Sequence, residues 1–363
     1  MAQRRTPPKK VVYLWGAGAT HGEAQHLGAS TSLLMRDTDE FGEGITTRIL
    51  RRTGKKAESS YGSGLGVDIE KLISLLAASG DDDHSRLAET IRRNYFLELK
   101  ASLAKAKVIN DPRLAIDLLL LHNDVQFRTE TETLSGIITT NHDGLLQIAS
   151  QRVFGALNPG FEFESTSFTQ TYAGTPPILQ MHGSFTWHFD LPIRIERLSQ
   201  QSRYAGTVWI PPTILKESKN YPFNKLSGFA YELLARQCDV LRIVGAALTQ
   251  NDWNILSLIF NAQRHREATK GQAFLIELII PQRAGESIKR ECAYLKNLIS
   301  IGYVTEGRFA DYKDEQFPIP PESDMANPFF YWLKEKTEFH RRNGELGNLR
   351  TAPTVTAKRV ALP

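Results

Sequence analysis

Short runs of apolar residues that stop abruptly at polar residues or glycines recur along the chain. Runs of this length, mostly apolar rather than alternating, are typical of strands in a parallel sheet that is covered on both faces. The pattern therefore predicts an α/β fold in which a parallel sheet lies between helices. The predicted strands are residues 11–15, 137–138, 178–181, 240–244, 273–280 and 298–304.

Between the first two predicted strands, the apolar residues take up helical spacing instead. Asp68 precedes one helix as an N-cap candidate, a second helix covers about residues 85–107, and an Asn-Asp-Pro segment at 110–112 supplies the cap and first turn of a third. Because these helices separate two strands of one sheet, the sequence predicts an inserted helical subdomain at about residues 21–134. Further helices are predicted at residues 221–237, just after Asp252, and at residues 328–339.

Composition divides the chain into three parts. Residues 1–10 are basic and are predicted to be a disordered N-terminus, and residues 311–363 are predicted to be a peripheral segment with a basic tail. Residues 11–310 form the predicted folded domain. Within it, residues 59–66 are rich in glycine and serine, and both a mobile lid over a site and a passive loop fit that composition.

The charge of the chain is concentrated at its two ends. The formal net charge is +4, yet residues 1–10 and residues 340–363 contribute +4 each, so the rest of the chain carries −4. A mildly acidic body argues against a nucleic-acid groove within the fold and leaves only indirect contact through the tails. The chain lacks an apolar run of about 18 residues and an apolar N-terminal segment, which predicts no membrane contact and a cytoplasmic location.

Polar residues stand at the ends of the second and third predicted strands. Thr139, Asn141 and Asp143 follow the second strand, and His182 follows the third. In a parallel sheet, ligands bind in the crevice outside the carboxyl ends of the strands, so these side chains are predicted to share one pocket. An imidazole can act as a general base near neutral pH, and an amide can both donate to and accept from a water molecule.

Glycine turns follow the first and fourth predicted strands. They contain Gly16, Ala17 and Gly18 in the first turn, and Gly245 in the second. Glycine has no side chain to block a ligand, so such a turn can bring backbone N–H groups close to a pyrophosphate. The third glycine of the usual dinucleotide fingerprint is missing from the first turn, and an ordinary tight turn is the alternative.

Other kinds of chemistry find little support in the sequence. The two cysteines, Cys238 and Cys292, cannot form a four-cysteine zinc site and are predicted to be packing residues. The acidic run at residues 81–84 is predicted to be a solvated helix start, because consecutive loop residues point in different directions. The sequence contains no nucleophile elbow of the kind that a catalytic serine occupies.

Taken in order, the four strand ends resemble those of the sirtuins. They read G-A-G-A-T at residues 16–20, T-T-N-H-D at 139–143, M-H-G at 181–183 and I-V-G-A-A-L at 243–248. The similarity is greater to the zinc-less sirtuin-like NAD hydrolases of bacterial antiphage systems, and it covers about residues 11–304. It implies a Rossmann-like parallel sheet of sirtuin type that uses NAD and needs no zinc.

This resemblance implies a role for each polar residue at the strand ends. Asn141 would lie beside the scissile bond of NAD and orient the ribose or a water molecule. His182 would contact the hydroxyls of the nicotinamide ribose and act as a general base. Asp143 would bind the nicotinamide carboxamide, and Thr139 would support the end of its strand.

The glycine turns would bind the rest of the dinucleotide. The residues implied are Gly16, Ala17, Gly18, Thr20 and Gly245. Asp252 is a candidate partner for a ribose hydroxyl, or alternatively a helix cap. Ala246 and Ala247 depart from the Thr-Ser pair of deacylating sirtuins and remove hydroxyls that would meet the adenosine half.

The resemblance implies an NAD glycohydrolase that produces nicotinamide and ADP-ribose and depletes NAD during phage infection. It further implies a homo-oligomer activated by a separately encoded partner, a HerA-type hexameric ATPase. Two alternatives stay open: an NAD-dependent protein deacylase, and a non-catalytic scaffold that binds NAD or ADP-ribose. DNA cleavage within a larger complex is a further alternative, for which the basic tails are the sole support.

Overall fold

The computed structural model describes residues 7–27, 32–34, 43–54, 68–123, 132–170, 174–199, 202–214, 216, 219–280 and 282–300. The segment at 59–66, the helix predicted at 328–339 and the whole of 311–363 lie outside the described residues. No helix in the described ranges combines the length and the apolar character needed to cross a membrane.

A six-stranded parallel sheet forms the centre of the molecule, in the order β10-β9-β8-β1-β2-β4. It confirms the predicted α/β fold and is consistent with a Rossmann-like architecture. Each predicted strand is present within the described residues, although β2 begins five residues earlier than its apolar run. The prediction of disorder for residues 1–10 is wrong at Lys9 and Lys10, which belong to β1, and residues 301–304 of the last predicted strand lie outside the described residues. The strands are β1 (Lys9–Trp15), β2 (Glu132–Thr139), β4 (Ile178–Gln180), β8 (Val240–Val244), β9 (Leu275–Ile279) and β10 (Leu298–Ser300).

The strand order reverses direction at β1. Leu14 pairs with Ile138 of β2 on one side and with Ile243 of β8 on the other. Because all six strands are parallel, the two glycine turns and the two polar strand ends lie at the same edge of the sheet. A reversal of this kind opens a crevice at the carboxyl edge, which is where ligands bind in such sheets.

Helices cover the sheet and fill the described residues between β1 and β2. Those between β1 and β2 are α1 (Ala17–His26), α2 (Ile45–Thr53), α3 (Ile69–Ala78), α4 (Asp82–Lys105) and α5 (Arg113–Asn123), with a short 3₁₀ turn at Val108–Asn110. Later in the chain come α6 (Leu145–Phe154), α7 (Phe223–Gln237), α8 (Trp253–Lys270) and α9 (Gln282–Glu291).

The starts of α3 and α4 follow from local sequence. The Asp68 carboxylate accepts from the N–H groups of Glu70 and Lys71 at 3.0 and 3.2 Å. Asp81 caps α4 in the same way, accepting from the second and third residues after it at 2.8 and 3.0 Å. Each cap satisfies backbone donors that the first turn of a helix leaves without a partner. The acidic run at 81–84 is thus a helix start, as predicted.

The cap predicted for α5 is wrong, although the helix does begin directly after Pro112. The N–H groups of Leu114 and Ala115 donate to the two carboxylate oxygens of Glu23 at 2.8 and 3.0 Å. Glu23 lies in α1 and is fully buried. Asp111 instead binds arginines at the surface. A carboxylate is favoured at a helix N-terminus because the free N–H groups and the helix dipole attract negative charge.

A second, smaller sheet, three of whose four strands follow His182, was not predicted from the sequence. It contains four strands in the order β3-β6-β5-β7, namely β3 (Phe163–Glu164), β5 (Gly183–His188), β6 (Ile193–Ile195) and β7 (Thr207–Trp209). Phe185 of this sheet and Leu145 of α6 belong to the hydrophobic core of the helical insertion. The insertion therefore packs against the small sheet directly above the carboxyl edge of the central sheet.

Candidate functional site

A cavity of about 130 Å³ lies at the carboxyl edge of the central sheet. It collects six of the predicted site residues from three strand ends and the loop before α8: Ala17, Thr20, Asn141, Asp143, His182 and Asp252. The helical insertion and the loop before α7 contribute residues that the sequence reasoning missed. The further lining residues are Leu33, Glu70, Tyr95, Leu99, Thr140, His142, Ile210, Pro212 and Lys216.

Asn141, Thr20 and Asp143 form one hydrogen-bonded group in the cavity wall. The amide nitrogen of Asn141 donates to the carbonyl oxygen of Gly16 at 3.0 Å and to the Thr20 hydroxyl at 2.9 Å. The Thr20 hydroxyl in turn donates to Asp143 at 2.8 Å. Since both donors of the amide are used, Oδ1 is the atom of Asn141 left to accept from a ligand or water. Burial raises the pKa of Asp143, and the bond from Thr20 opposes that rise.

Thr139 stands behind the cavity and joins two strand ends, as its predicted supporting role requires. Its hydroxyl donates to the carbonyl oxygen of Trp15 at 2.8 Å and accepts from the N–H of Asn141 at 3.1 Å. The end of β2 is thereby tied to the end of β1. This contact orients the backbone from which the Asn141 side chain projects.

Two side chains, one from β4 and one from β5, donate hydrogen bonds to the carbonyl oxygens of residues 141–143. The Gln180 amide donates to the carbonyl oxygens of Asn141 and Asp143 at 3.3 and 2.8 Å. The Ser184 hydroxyl donates to the carbonyl oxygen of His142 at 3.0 Å. All these groups are buried. Buried polar groups that are fully paired are rigid, so this loop is set in place before any ligand arrives.

The glycines of the two turns pack against each other rather than line the cavity. A Cβ on Gly16 would stand 2.5 Å from Ala246, and one on Gly18 would stand 2.8 Å from the carbonyl oxygen of Gly245. Their N–H groups donate to the carbonyl oxygens of Val244 and Gly245 at 2.9 and 2.8 Å. Because these N–H groups are already hydrogen-bonded to backbone carbonyl oxygens, any contact between the first turn and a phosphate depends on Ala17 and Thr20.

His182 is almost completely buried at the end of β4. Its Nε2 atom lies 3.4 Å from the amide nitrogen of Asn254, in the first turn of α8. Burial, together with the charge of Lys216, lowers the pKa of His182 to about 3. The imidazole is therefore neutral at physiological pH and has a lone pair with which to accept a proton.

Lys216 joins the helical insertion to the loop before α8. Its ammonium group, 5% exposed, lies 3.2 Å from Glu70 and 3.0 Å from Asp252, and it donates to the carbonyl oxygen of Asn251 at 3.0 Å. Asp252 makes no capping hydrogen bond to α8, so the helix-cap alternative for this residue is wrong. The other alternative remains: Asp252 lines the cavity and is placed to bind a hydroxyl group of a ligand.

Carboxyl groups outnumber cationic groups in the part of the cavity wall that the structure describes. Among these lining residues, the three carboxyl groups of Glu70, Asp143 and Asp252 stand against one ammonium, that of Lys216. Burial raises the pKa of Glu70, which the charge of Lys216 opposes. A site of this charge suits a cationic ring better than a phosphate.

Aromatic side chains close one side of the cavity. His142 stacks on Phe185 with ring centroids 5.3 Å apart, and it meets the edges of Tyr95 and Trp209. Tyr95 comes from α4 and lines the cavity. No short-range pattern links these residues. Within the described ranges, no group of three or more metal-ligating side chains is placed to hold a metal ion.

Replacing Lys216 with methionine is expected to lower the free energy of unfolding by about 2 kcal/mol, because two partly buried carboxyl groups lose the charge of Lys216. Urea denaturation followed by circular dichroism measures the effect. Lys71→Met is the matched control, since Lys71 is 60% exposed and lies 3.9 Å from Asp68. An equal loss of stability in both variants would show that the Lys216 network does not form.

Neither the known protein-family models nor the curated proteins contain a match to this chain.

Proposed function

We propose that this protein is a sirtuin-type NAD glycohydrolase that cleaves NAD to nicotinamide and ADP-ribose. One observation carries the proposal: a buried amide, Asn141, and a neutral buried imidazole, His182, line the same cavity at the carboxyl edge of a parallel sheet. The ordered motifs at the strand ends support the same reaction.

Cleavage of the bond between nicotinamide and ribose suits the charged groups of the cavity wall. Loss of nicotinamide leaves positive charge on the ribose ring, and preorganised negative groups stabilise such charge best where water is excluded. Glu70, Asp143 and Asp252 supply carboxyl groups, while the ammonium of Lys216 is held between two of them. The starting pyridinium ring is itself a cation, so the same charges favour binding of oxidised NAD.

The two central side chains then have distinct tasks. Oδ1 of Asn141 accepts a hydrogen bond from the attacking water, whose oxygen forms the new bond to the ribose carbon as nicotinamide leaves. His182 accepts the proton that this water loses and releases it to solvent. The carboxyl group of Asp143 receives the amide of nicotinamide.

The size of the cavity limits which part of NAD it encloses. Pockets for drug-sized ligands measure roughly 300–1,000 Å³, whereas this cavity measures about 130 Å³. We therefore place the nicotinamide end inside it and the adenosine half outside, beyond Ala17 and Thr20. Activation through a HerA-type ATPase, self-association and a part in antiphage defence belong to the same proposal and are supported by the sequence resemblance alone.

Chromatography of NAD incubated with the purified protein, alone and with a HerA-type ATPase, tests the function. Nicotinamide and ADP-ribose are expected in equal amounts. Asn141→Ala and His182→Ala should each reduce the rate by about 10²-fold or more, as loss of an oriented polar group or general base does. His84→Ala and Asn224→Ala, at exposed positions outside the cavity, should retain the rate.

Two other results would decide against hydrolysis. If NAD survives every condition but raises the unfolding temperature of the protein, the chain is a binding scaffold. If NAD is consumed when an acylated lysine peptide is present and otherwise survives, the chain is a deacylase.

A further inference from the structure

Asn254 connects α8 to His182 across the carboxyl edge of the sheet. It is the second residue of α8, which follows β8, whereas His182 follows β4. In the sheet, β1 and β2 lie between these two strands. The contact of 3.4 Å between the Asn254 amide nitrogen and Nε2 of His182 therefore spans the crevice.

The geometry of this contact specifies where the imidazole proton sits. With the Asn254 amide nitrogen facing it, Nε2 accepts a hydrogen bond and the proton of the neutral ring is assigned to Nδ1. The backbone of Thr140 provides a further hydrogen bond to the same imidazole. The other end of the Asn254 amide is unused, because Oδ1 is buried and has no hydrogen-bond partner among the described residues.

We propose that Asn254 is the positioning residue of His182. Its amide nitrogen holds the neutral ring with Nε2 unprotonated. When the ring is protonated, the carboxamide turns so that its oxygen accepts a hydrogen bond from the imidazolium. Half a rotation of the carboxamide exchanges its nitrogen for the oxygen that lacks a partner. A single side chain thus pairs with both protonation states of the ring. The catalytic part of this inference rests on the proposed function, whereas the positioning of the ring does not.

Among the residues that the structure describes, the other groups near His182 do not offer such a partner. Lys216 is cationic and disfavours the imidazolium, and its ammonium is occupied by Glu70, Asp252 and a backbone carbonyl. The His142 ring lies 6.2 Å away between centroids, and burial keeps its pKa well below the usual value. Asn254 is thus the neighbour able to accept from a protonated His182 by a rotation of its own amide.

Nitrogen-15 NMR of the full chain with labelled histidine tests the proposal without substrate. In the parent protein, Nε2 of His182 should show the shift of an unprotonated, hydrogen-bonded ring nitrogen. In Asn254→Leu this resonance should move towards the value of a ring nitrogen without a hydrogen bond. In Asn254→Asp the fixed acceptor should raise the pKa of His182 by more than about one unit. Asn261→Ala, at an exposed position of α8, is the control and should change neither.

The kinetic test separates this inference from the proposed function. With NAD, Asn254→Leu is expected to lower kcat by about tenfold to a hundredfold with little change in KM, because the ring is misplaced rather than the substrate lost. If NAD is not cleaved but the NMR results are as expected, the positioning role stands and the hydrolase proposal falls. An unmoved Nε2 resonance in Asn254→Leu, together with an unchanged pKa of His182 in Asn254→Asp, would overturn the inference.

Discussion

Gly245→Ala is expected to lower the free energy of unfolding by more than about 4 kcal/mol, a loss that only a few kinds of substitution produce. Gly245 has a φ of +62°, and a Cβ at this position would stand 2.0 Å from the backbone nitrogen of Ala19 and 2.5 Å from the carbonyl carbon of Gly18. Both neighbours are backbone atoms at the start of α1. The clash with the added Cβ can therefore be relieved only if the carboxyl ends of β1 and β8 move apart. Urea denaturation followed by circular dichroism measures the change.

Gly271→Ala is the matched control. Gly271 has a similar φ of +75°, but its Cβ would meet no atom within 4 Å. Only the left-handed backbone then opposes alanine, at a cost of about 1–2 kcal/mol. If the two variants lose stability to within about 1 kcal/mol of each other, the close packing of the two turns would be refuted. The difference between the two losses of stability measures the close contact between the two glycine turns, which places Ala17 and Thr20 beside the cavity.

The second large effect is expected at Arg242, whose replacement by methionine should cost about 3–5 kcal/mol. Its guanidinium is 3% exposed and lies 2.6 Å from Glu132 and 2.6 Å from Glu277, so it links β8 to β2 and β9. It also lies over the ring of Tyr13, 5.8 Å from the centroid. Methionine takes the positive charge of Arg242 away from two largely buried carboxylates, which is the costly outcome for a buried ion network. Thermal and urea unfolding report the loss.

Two comparisons test that cause. Arg236→Met removes the arginine of an exposed pair with Glu232, at 2.7 Å, and should cost no more than about 0.5 kcal/mol. Changing Glu132 and Glu277 to glutamine in the Arg242→Met background should restore part of the stability, because the uncompensated charges are then gone. A triple variant no more stable than Arg242→Met would show that packing, not charge, accounts for the loss.

Local sequence determined most of the strands and several helix starts. The mostly apolar run at residues 240–244 coincides with β8, because a strand buried on both faces favours apolar residues, with Arg242 as the exception that the ion network holds. Asp68 and Asp81 mark their helices because the capping bonds join residues two or three positions apart. The polar strand ends predicted a shared pocket, since parallel strands bring their carboxyl ends to one edge.

Contacts between distant segments decided the rest of the site. Glu23 caps a helix about ninety residues away, and Lys216 joins Glu70 to Asp252. Asn254 reaches His182 across two intervening strands. Such partners leave no periodicity or spacing along the chain, because their separation in sequence is unrelated to their separation in space.

The glycine turns show the same division. The sequence by itself determined that Gly16 and Gly245 directly follow strands, because glycine punctuates apolar runs, whereas Gly18 lies in the first turn of α1. Only the tertiary structure decided that these glycines face one another, with too little room for a Cβ on any of them. The reason is physical: a turn is encoded by the residues within it, whereas the surface that the turn meets is supplied by a segment more than two hundred residues away.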